Sequence, residues 1–427
     1  MTDLMLGIGA AWLVTILAGL PLFAAMGLAA LAFVSLAGLS PSIVPQKMAQ
    51  AMNAFPIVAA PLFILMGNLL SASRITDRIV RFATAVMGSL RGGYAQASIL
   101  SSLIFAGMAG SAVADAAATG AVEIRAMKRA GYRPETAASI NAAAATIGAI
   151  MPPSLPIVIF GVTSDVSVGR LFLAGCIPGL LMAGALMAMV VVIGGRQGFP
   201  RQRFAGFREL WLSFRDGFFA LMAPVILLGG MFSGLFTPTE AAAVASLYAL
   251  LLGLVVYRTL RPADIVRVMI ETAETAGIVT VLVMAAGALG WCMSISRIPQ
   301  TVAPAMVASI HSPLLFLLVC NLLLLLVGCF METLAALLIL IPILVPVATS
   351  FGIAPVQFGI IMILNLILGT IHPPVGVVLF ITSRIAEISF ETMSRAVLPW
   401  IVPLLVVLAA ITLWPPLTTW LPHFVLG

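Results

Sequence analysis

The chain has 427 residues, of which 62% are hydrophobic and only 8% are charged, and it carries a formal net charge of +6. Such a small polar fraction cannot cover the surface of a water-soluble protein of this length, so most of the exterior must face lipid and we predict a polytopic membrane protein. The positive charge does not indicate a nucleic-acid partner, because the arginines lie in short clusters between apolar runs, as orientation signals of membrane proteins do. The four cysteines lie inside apolar segments without metal spacing, which argues against a disulfide framework or a zinc site.

The first half of the chain contains apolar runs that are long enough to cross a hydrocarbon core of about 30 Å. Cut at proline, glycine and charged residues, these runs predict simple spans at 5–20, 22–36, 56–70 and 171–194. Two segments between them, 40–54 and 71–91, are too polar or too basic to cross. We expect both segments to lie in the membrane interface.

A hairpin and a broken span occupy the rest of this half. Two apolar arms, 95–127, meet at a tip of small residues around Gly110 and Ser111. The following apolar segment, 135–162, is interrupted between Gly148 and a Pro-Pro pair. Because proline removes helical hydrogen bonds, we predict that this segment is a broken helix.

A basic linker, 196–216, is followed by a second copy of the same plan. The predicted order is spans 217–236 and 240–257, interfacial segment 262–276, span 277–294, interfacial segment 295–311, hairpin 313–346, broken span 357–383 and span 396–421. Short sequences recur as well: SASRI at 71–75 matches SISRI at 294–298, and GAIMPP at 148–153 matches GTIHPP at 369–374. The two halves therefore share their order of elements and some of their residues.

We predict two domains, 1–195 and 217–427, each with five full crossings if its hairpin is re-entrant. An odd number of crossings inverts the second domain relative to the first, which predicts an all-α membrane fold with the inverted repeats of secondary transporters. With this topology all but three of the 21 lysines and arginines fall on one side of the membrane, the exceptions being Lys47, Arg170 and Arg297. The positive-inside rule then places the linker in the cytoplasm and both termini outside.

The broken spans and the hairpin tips indicate a functional site. Non-helical backbone at membrane depth persists only where protein or a water-filled cavity surrounds it. Carbonyl groups that the Pro-Pro pairs free from the helix are suitable ligands for sodium. The hairpin tips add helix N-termini, whose positive dipole ends favour an anionic group such as a carboxylate. We therefore predict two cation sites that flank one anion site near the bilayer midplane.

The candidate ligands come from both tips and both breaks. The candidate cation ligands are Gly107, Gly110, Ser111, Gly148, Met151, Gly328, Glu332, Thr333, Gly369, Thr370 and His372. The candidate substrate-binding residues are Ser111, Asp115, Asn141, Pro153, Thr333 and Pro374. An unpaired carboxylate at a helix centre costs about 2.5–3.5 kcal/mol, so Asp115 and Glu332 indicate function by default. The structural alternative for both is that they cap a half-helix N-terminus.

Two basic residues have alternatives of their own. His372, at the second break, either handles a proton or is a satisfied interior histidine, and the interior alternative is favoured. Arg297 either meets an anionic substrate or extends to lipid, and the lipid alternative is favoured.

Several long motifs, in a fixed order, resemble a single family. They are AGMAGSAVADAAATGAV, MKRAGY, TIGAIMPPSLPIVIFG, GLFTPTEAAAVASLYALLLG and HPPVGVVLF. Together they resemble the DctM-like large membrane subunit of the tripartite ATP-independent periplasmic (TRAP) transporters, within the ion transporter superfamily, over essentially the whole chain. The resemblance implies a bacterial inner-membrane secondary transporter of the elevator type that is coupled to two or more sodium ions. It also implies two partners, a small four-helix membrane subunit and a soluble periplasmic binding protein that delivers an organic anion.

The chain departs from the family pattern at some of its candidate ligands. The family's first hairpin carries SGSSVAD where this chain has AGSAVAD, so Ala109 and Ala112 replace hydroxyl residues. A threonine is usual where His372 stands, and an aspartate is common near Glu332. No four-helix block precedes the first domain, so we expect the small subunit to be a separate chain.

Two alternatives stand beside this function. One is a stand-alone sodium/dicarboxylate symporter of related architecture, and the other is a structural or channel-like membrane subunit without a coupled cycle. The sequence contains neither a P-loop nor a nucleophile with an adjacent base, so we expect no ATP site and no enzyme activity.

Overall fold

The computed structural model describes residues 2–53, 58–73, 75–201, 205–298, 300–301, 304, 306, 310 and 312–427. Within these residues every regular element is a helix. The helices of the first half are α1 (Thr2–Leu17), α2 (Leu22–Leu36), α3 (Ile43–Met52), α4 (Ala59–Ala72), α5 (Ile75–Met87), α6 (Gly93–Ala109), α7 (Ala112–Arg129), α8 (Pro134–Ala145) with a 3₁₀ turn (Thr146–Ala149), α9 (Leu155–Ser164) and α10 (Val168–Gln197). The all-α fold that the composition predicts is therefore confirmed.

The second half again contains a hairpin and a broken span. Its elements are α11 (Phe207–Phe232), α12 (Pro238–Leu251) with a π-helical turn (Leu252–Val256), α13 (Pro262–Ile295), α14 (Pro313–Phe330), α15 (Thr333–Ser350), α16 (Pro355–Gly369), α17 (Val377–Ala386), α18 (Phe390–Leu413) and α19 (Pro416–Leu426). In the described residues α10 to α15 and α18 are long and apolar enough to cross a membrane, and several shorter helices are equally apolar. The chain is thus a multi-pass membrane protein.

The hairpins and broken spans lie close to their predicted positions. The arms α6 and α7 are separated at Gly110 and Ser111, and α14 and α15 are separated at Met331 and Glu332. The two broken spans are α8 with α9 and α16 with α17. Each break contains a cis Pro-Pro peptide bond.

Three predicted boundaries are wrong. The predicted linker 196–216 is too long, because α10 continues to Gln197 and α11 begins at Phe207. Residues 262–276 do not form a separate interfacial helix but begin the 34-residue helix α13, because no proline interrupts the chain between Pro262 and Ile295. The predicted last span, 396–421, ends at Leu413, and α19 begins after Pro415. The start of the predicted span 56–70, Arg74 and nearly half of the predicted interfacial segment 295–311 lie outside the described residues.

Local sequence signals set several helix starts. Thr237 and Glu240 form a capping box at the start of α12, in which the Glu240 carboxylate accepts a hydrogen bond from the Thr237 backbone N–H at 2.8 Å. Serine side chains accept from backbone N–H groups at the starts of α7, α9, α10 and α18. These bonds satisfy amide groups that have no partner inside the helix.

The helices pack as two groups. One group contains α1 to α5 with α11 to α13, where α4 contacts α12, and α13 lies against α2, α3 and α4. The other group contains both hairpins and both broken helices together with α10, α18 and α19, and α5 contacts α6 between the two groups. In this group helices of one half pack on helices of the other. The hairpin arm α7 of the first half packs on α17 of the second, and the hairpin arm α15 of the second half packs on α9 of the first.

Ion pairs connect α5 of the first half to α11 of the second half. Arg78 pairs with Asp216, and Arg81 pairs with Glu209 at 2.7 Å. The Arg78 guanidinium also lies 4.1 Å from the ring centre of Tyr257, whose hydroxyl donates to the Asp216 carbonyl at 3.1 Å. These contacts hold α5 of the first half against α11 of the second.

The first break rests in a groove on α10 that two glycines create. A Cβ atom at Gly175 would collide with the carbonyl oxygen of Ile150, and one at Gly179 would lie 2.9 Å from the Met151 sulfur. Spaced four residues apart, the two glycines face the same neighbour and allow close backbone approach. The groove therefore fixes where the broken helix sits.

We expect Gly175→Ala to lower the unfolding free energy by about 1–3 kcal/mol, because the added methyl group overpacks against rigid backbone. The matched control is Gly184→Ala on the same helix, where a Cβ atom meets no neighbour within 4 Å. Thermal unfolding in detergent measures both. A melting temperature of Gly175→Ala equal to or above that of Gly184→Ala would contradict this packing.

Candidate ion and substrate site

Both hairpin tips and both helix breaks meet around one small cavity, which has a volume of about 40 Å³. Its lining comes from all four segments: Ser111, Ala112 and Val113 at the first tip, Ala149, Leu155 and Pro156 at the first break, Glu332, Thr333 and Leu334 at the second tip, and Ile367, Thr370 and Val377 at the second break. The structure thus brings together residues that are more than 200 positions apart in the chain.

The first tip is docked on the first break through backbone atoms. Gly110 ends α6 with a φ of 61°, a left-handed conformation that favours glycine. Its carbonyl accepts a hydrogen bond from Leu155 N–H at 3.2 Å, and a Cβ atom at Gly110 would lie 3.0 Å from the Pro153 carbonyl oxygen. Ser111 follows as the N-cap of α7 and accepts from Ala114 N–H at 3.5 Å. The close approach of tip and break therefore requires glycine at position 110.

Asp115 is fully buried on the first turn of α7, and neither of its carboxylate oxygens has a hydrogen-bond partner among the described residues. It faces the first break, because a Cβ atom at Gly148 would lie 3.4 Å from Asp115 Oδ2. The Ser102 and Thr119 hydroxyls lie beside this carboxylate, but neither forms a hydrogen bond of normal geometry to it. A buried charge without a partner is strongly unfavourable, so this location is suited to a bound cation.

A second buried carboxylate lies two turns further along α7 and is fully satisfied. Glu123 accepts hydrogen bonds from the Ser98 and Ser101 hydroxyls and from the Asn141 amide, the last at 2.9 Å. Asn141 also donates to the Thr119 hydroxyl at 3.1 Å. This network joins α6, α7 and α8, and it holds Asn141 outside the lining of the cavity.

The second tip uses its carboxylate as a helix cap. Glu332 is the N-cap of α15, and its Oε2 accepts from Leu334 N–H at 2.8 Å and from Ala335 N–H at 3.1 Å. In the second hairpin Glu332 therefore has the capping role that Ser111 has in the first, and it does not correspond to Asp115. Of the two carboxylates that the sequence singled out, one is a cap and the other is buried without a partner.

The glycines of the second break make a direct backbone contact. Gly328 on α14 and Gly369 on α16 approach so closely that a Cβ atom on Gly369 would collide with the Gly328 backbone. Close packing therefore accounts for both glycines. At the same break Thr370 donates to the Ile367 carbonyl at 2.6 Å, and its own carbonyl accepts from Val378 N–H at 3.1 Å.

His372 has two neighbours and does not line the cavity. Its Nδ1 lies 2.5 Å from the Pro373 carbonyl oxygen and 3.4 Å from Cys329 Sγ. These contacts favour a histidine whose ring is satisfied by its neighbours over one that handles a proton. Pro374, in the same break, is exposed.

The candidates Gly148 and Met151 do not line the cavity. The Met151 side chain packs against Gly179 of α10, and its backbone N–H donates to the Ile147 carbonyl at 3.0 Å. Gly107 lies in the last turn of α6, and its surroundings are outside the described part of the chain.

The fold agrees with that of a solved membrane transporter. The YdaH transporter of Alcanivorax borkumensis superposes with a TM-score of 0.64 over 86% of this chain and 87% of that chain, at 16% sequence identity. Paired hairpins and broken helices around one buried cavity, in a multi-pass membrane chain, define a protein of the membrane-transport class.

The family follows from the sequence comparisons. Residues 10–417 match the model of the tripartite ATP-independent periplasmic transporter, DctM component. The chain is 44% identical to the sialic acid TRAP transporter large permease protein of Vibrio cholerae over 97% of this chain and 98% of that protein. It is 37% identical to the C4-dicarboxylate TRAP transporter large permease protein of Pseudomonas aeruginosa over 88% of each. The chain belongs to the DctM family of TRAP large permease subunits, which are secondary transporter components and not enzymes.

We expect Glu332→Ala to lower the unfolding free energy by about 0.5–2 kcal/mol, because the variant removes an N-cap. Glu332→Asp should retain most of the stability, since aspartate is itself a favoured cap. Thermal unfolding in sodium-free buffer measures both variants. If Glu332→Ala unfolds like the unmodified protein, the capping role of this carboxylate is wrong.

Proposed function

We propose that this chain is the large membrane subunit of a sodium-coupled transporter that takes up an organic acid. The observation that carries the proposal is the unpartnered carboxylate of Asp115, which is buried against Gly148 where a hairpin tip meets a broken helix. Relatives whose names specify sialic acid and C4-dicarboxylates support an organic acid as the class of substrate.

The first sodium ion would bind beside Asp115. A monovalent cation there neutralises the buried charge, and the Ser102 hydroxyl and carbonyl groups of the first tip and first break offer further oxygen ligands. We assign Asp115 to the cation rather than to the substrate, because a carboxylate substrate would be repelled by it. The second ion would bind at the second tip and break, where Thr333 and Thr370 line the cavity.

The substrate carboxylate would bind between the two tips. The N-termini of α7 and α15 both reach the cavity, and helix N-termini favour anions. The Glu332 carboxylate already occupies the end of α15, so the tip at Ser111 is the more favourable of the two. A cavity of about 40 Å³ is much smaller than the roughly 300–1,000 Å³ of small-molecule sites, so the tips must separate to admit a substrate.

The two groups of helices suggest how the site would move. The domains 1–195 and 217–427 would be inverted repeats. The hairpins and broken helices, α6 to α9 and α14 to α17, would form a transport unit that slides against a scaffold of α1 to α5 and α11 to α13. The exchanged contacts of α7 with α17 and of α15 with α9 support one transport unit built from both halves.

The remaining parts of the system follow from the family. We place the chain in the bacterial inner membrane with both termini in the periplasm and the linker 196–216 in the cytoplasm. A small four-helix membrane subunit would complete the scaffold, and a periplasmic binding protein would deliver the substrate. The names of the TRAP large permease relatives support such a multi-component system.

Sodium should stabilise the isolated chain through Asp115. Because a ligand that binds only the folded state raises its stability, the unmodified protein should melt at a higher temperature in NaCl than in KCl at equal ionic strength. Asp115→Asn should lose this difference and should melt higher than the unmodified protein in KCl, since a buried unpaired charge is removed.

The matched control is Asp165→Asn, which alters an exposed carboxylate in a left-handed conformation that asparagine tolerates. It should keep the full sodium effect. A sodium effect that persists undiminished in Asp115→Asn would show that the cation site lies elsewhere.

Reconstituted uptake separates the proposed function from its alternatives. Proteoliposomes that contain this chain with its small subunit and binding protein should accumulate labelled sialic acid or a C4-dicarboxylate only when a sodium gradient is imposed. Equal uptake by this chain alone would favour the stand-alone symporter, and ion conductance without saturable uptake would favour the channel-like subunit. Undiminished uptake without sodium would refute the coupling.

A further inference from the structure

An apolar groove of about 420 Å³ separates α1, α2 and α13 from the second hairpin arm, α15. Its lining includes Met5 and Gly9 of α1, Leu289 and Met293 of α13, and Ile339 and Ile343 of α15. Residues spaced three to four apart share one face of a helix, so the groove runs along the helix axes. An apolar groove between membrane helices matches an acyl chain in polarity.

The depth of the groove in the membrane follows from its lining. It runs from Leu289, inside α13, to Ile298, just beyond the end of that helix. In the topology proposed above this end of α13 lies on the periplasmic side. The groove therefore lies in the outer leaflet and opens towards the outer headgroup region.

An arginine adjoins the outer end of the groove in the chain. Arg297 directly precedes the lining residue Ile298, is exposed, and has a φ of 57°. Within the described residues its guanidinium takes part in none of the ion pairs. An arginine at this depth is complementary to a lipid phosphate.

We propose that one anionic phospholipid binds here, with an acyl chain in the groove and its phosphate at Arg297. The site lies between the proposed scaffold and the proposed transport unit, so an acyl chain would contact both. Its placement in the outer leaflet rests on the proposed topology, whereas the binding of lipid by the isolated chain does not depend on transport.

Glycines on α1 provide a matched pair of variants. A Cβ atom at Gly9 meets no neighbour within 4 Å, so Gly9→Leu fills the groove without a backbone clash. Gly7, two residues earlier, is exposed and equally free of neighbours but does not line the groove. Gly7→Leu therefore makes the same change outside the site.

The experiment is native mass spectrometry of the delipidated chain in detergent, titrated with dioleoylphosphatidylglycerol or with dioleoylglycerol, which lacks the phosphate. The unmodified protein and Gly7→Leu should each bind one phosphatidylglycerol, and Gly9→Leu should not. Arg297→Gln should bind phosphatidylglycerol about fivefold more weakly. Arg170→Gln, at another exposed arginine on the same proposed side, should bind normally.

Equal binding by Gly9→Leu and Gly7→Leu would overturn the proposal. Equal affinity of the unmodified protein for phosphatidylglycerol and dioleoylglycerol would also overturn it, because the phosphate would then have no role. Since Arg297 is exposed, Arg297→Gln should fold normally and tests the site even if Gly9→Leu does not fold. The binding measurement does not involve sodium-coupled uptake. A failure of the lipid proposal can therefore be distinguished from a failure of the transport proposal.

Discussion

A buried carboxylate with no neutralising partner among the described residues is the constraint on which the site depends. Asp115 is held at the start of α7, away from bulk water and against the glycine of a broken helix. Burial makes the isolated charge unfavourable, and the surrounding helices offer it oxygen atoms rather than a basic side chain. Such a location favours the folded state with a cation present over the folded state without one. The proposed coupling between ion binding and the position of the hairpin tip would follow from this preference.

The packing around this charge explains why the tip and the break form one unit. Gly110 brings the tip onto the break through a backbone hydrogen bond to Leu155, and Gly175 of α10 holds the break from the other side. Each contact depends on the absence of a side chain. A cation that binds between tip and break would therefore act on both elements together.

The two halves each contain a hairpin and a broken helix, but the side chains at these elements differ. Ser111 caps α7 in the first half, whereas Glu332 caps α15 in the second. The first half also has the additional buried carboxylate of Asp115, and at the second break His372 contacts Pro373 and Cys329. The two proposed cation sites would therefore differ in strength, with the stronger one beside Asp115. An anionic substrate between the tips would likewise contact two different helix N-termini, those of α7 and α15.

Apolar run lengths and prolines were sufficient to predict the all-α membrane fold and the place of the hairpins and breaks. The Pro-Pro pairs and Gly110 are local signals, and local signals determine where a helix stops. The role of Glu332 could not be decided in the same way, because a cap and a ligand differ only in which amide groups the carboxylate reaches. The network of Glu123 with Ser98, Ser101 and Asn141 was missed, since it joins three helices whose relative placement is not encoded in any short segment. The carboxylate of Glu123 in an apolar arm was the one available signal.

Equilibrium binding of radioactive ²²Na⁺ to the purified chain tests the central claim most directly. The unmodified protein should bind sodium that unlabelled Na⁺ displaces and K⁺ does not, and Asp115→Asn should lose the tightest component of this binding while remaining folded. Undiminished high-affinity sodium binding by Asp115→Asn would contradict the role assigned to the buried carboxylate.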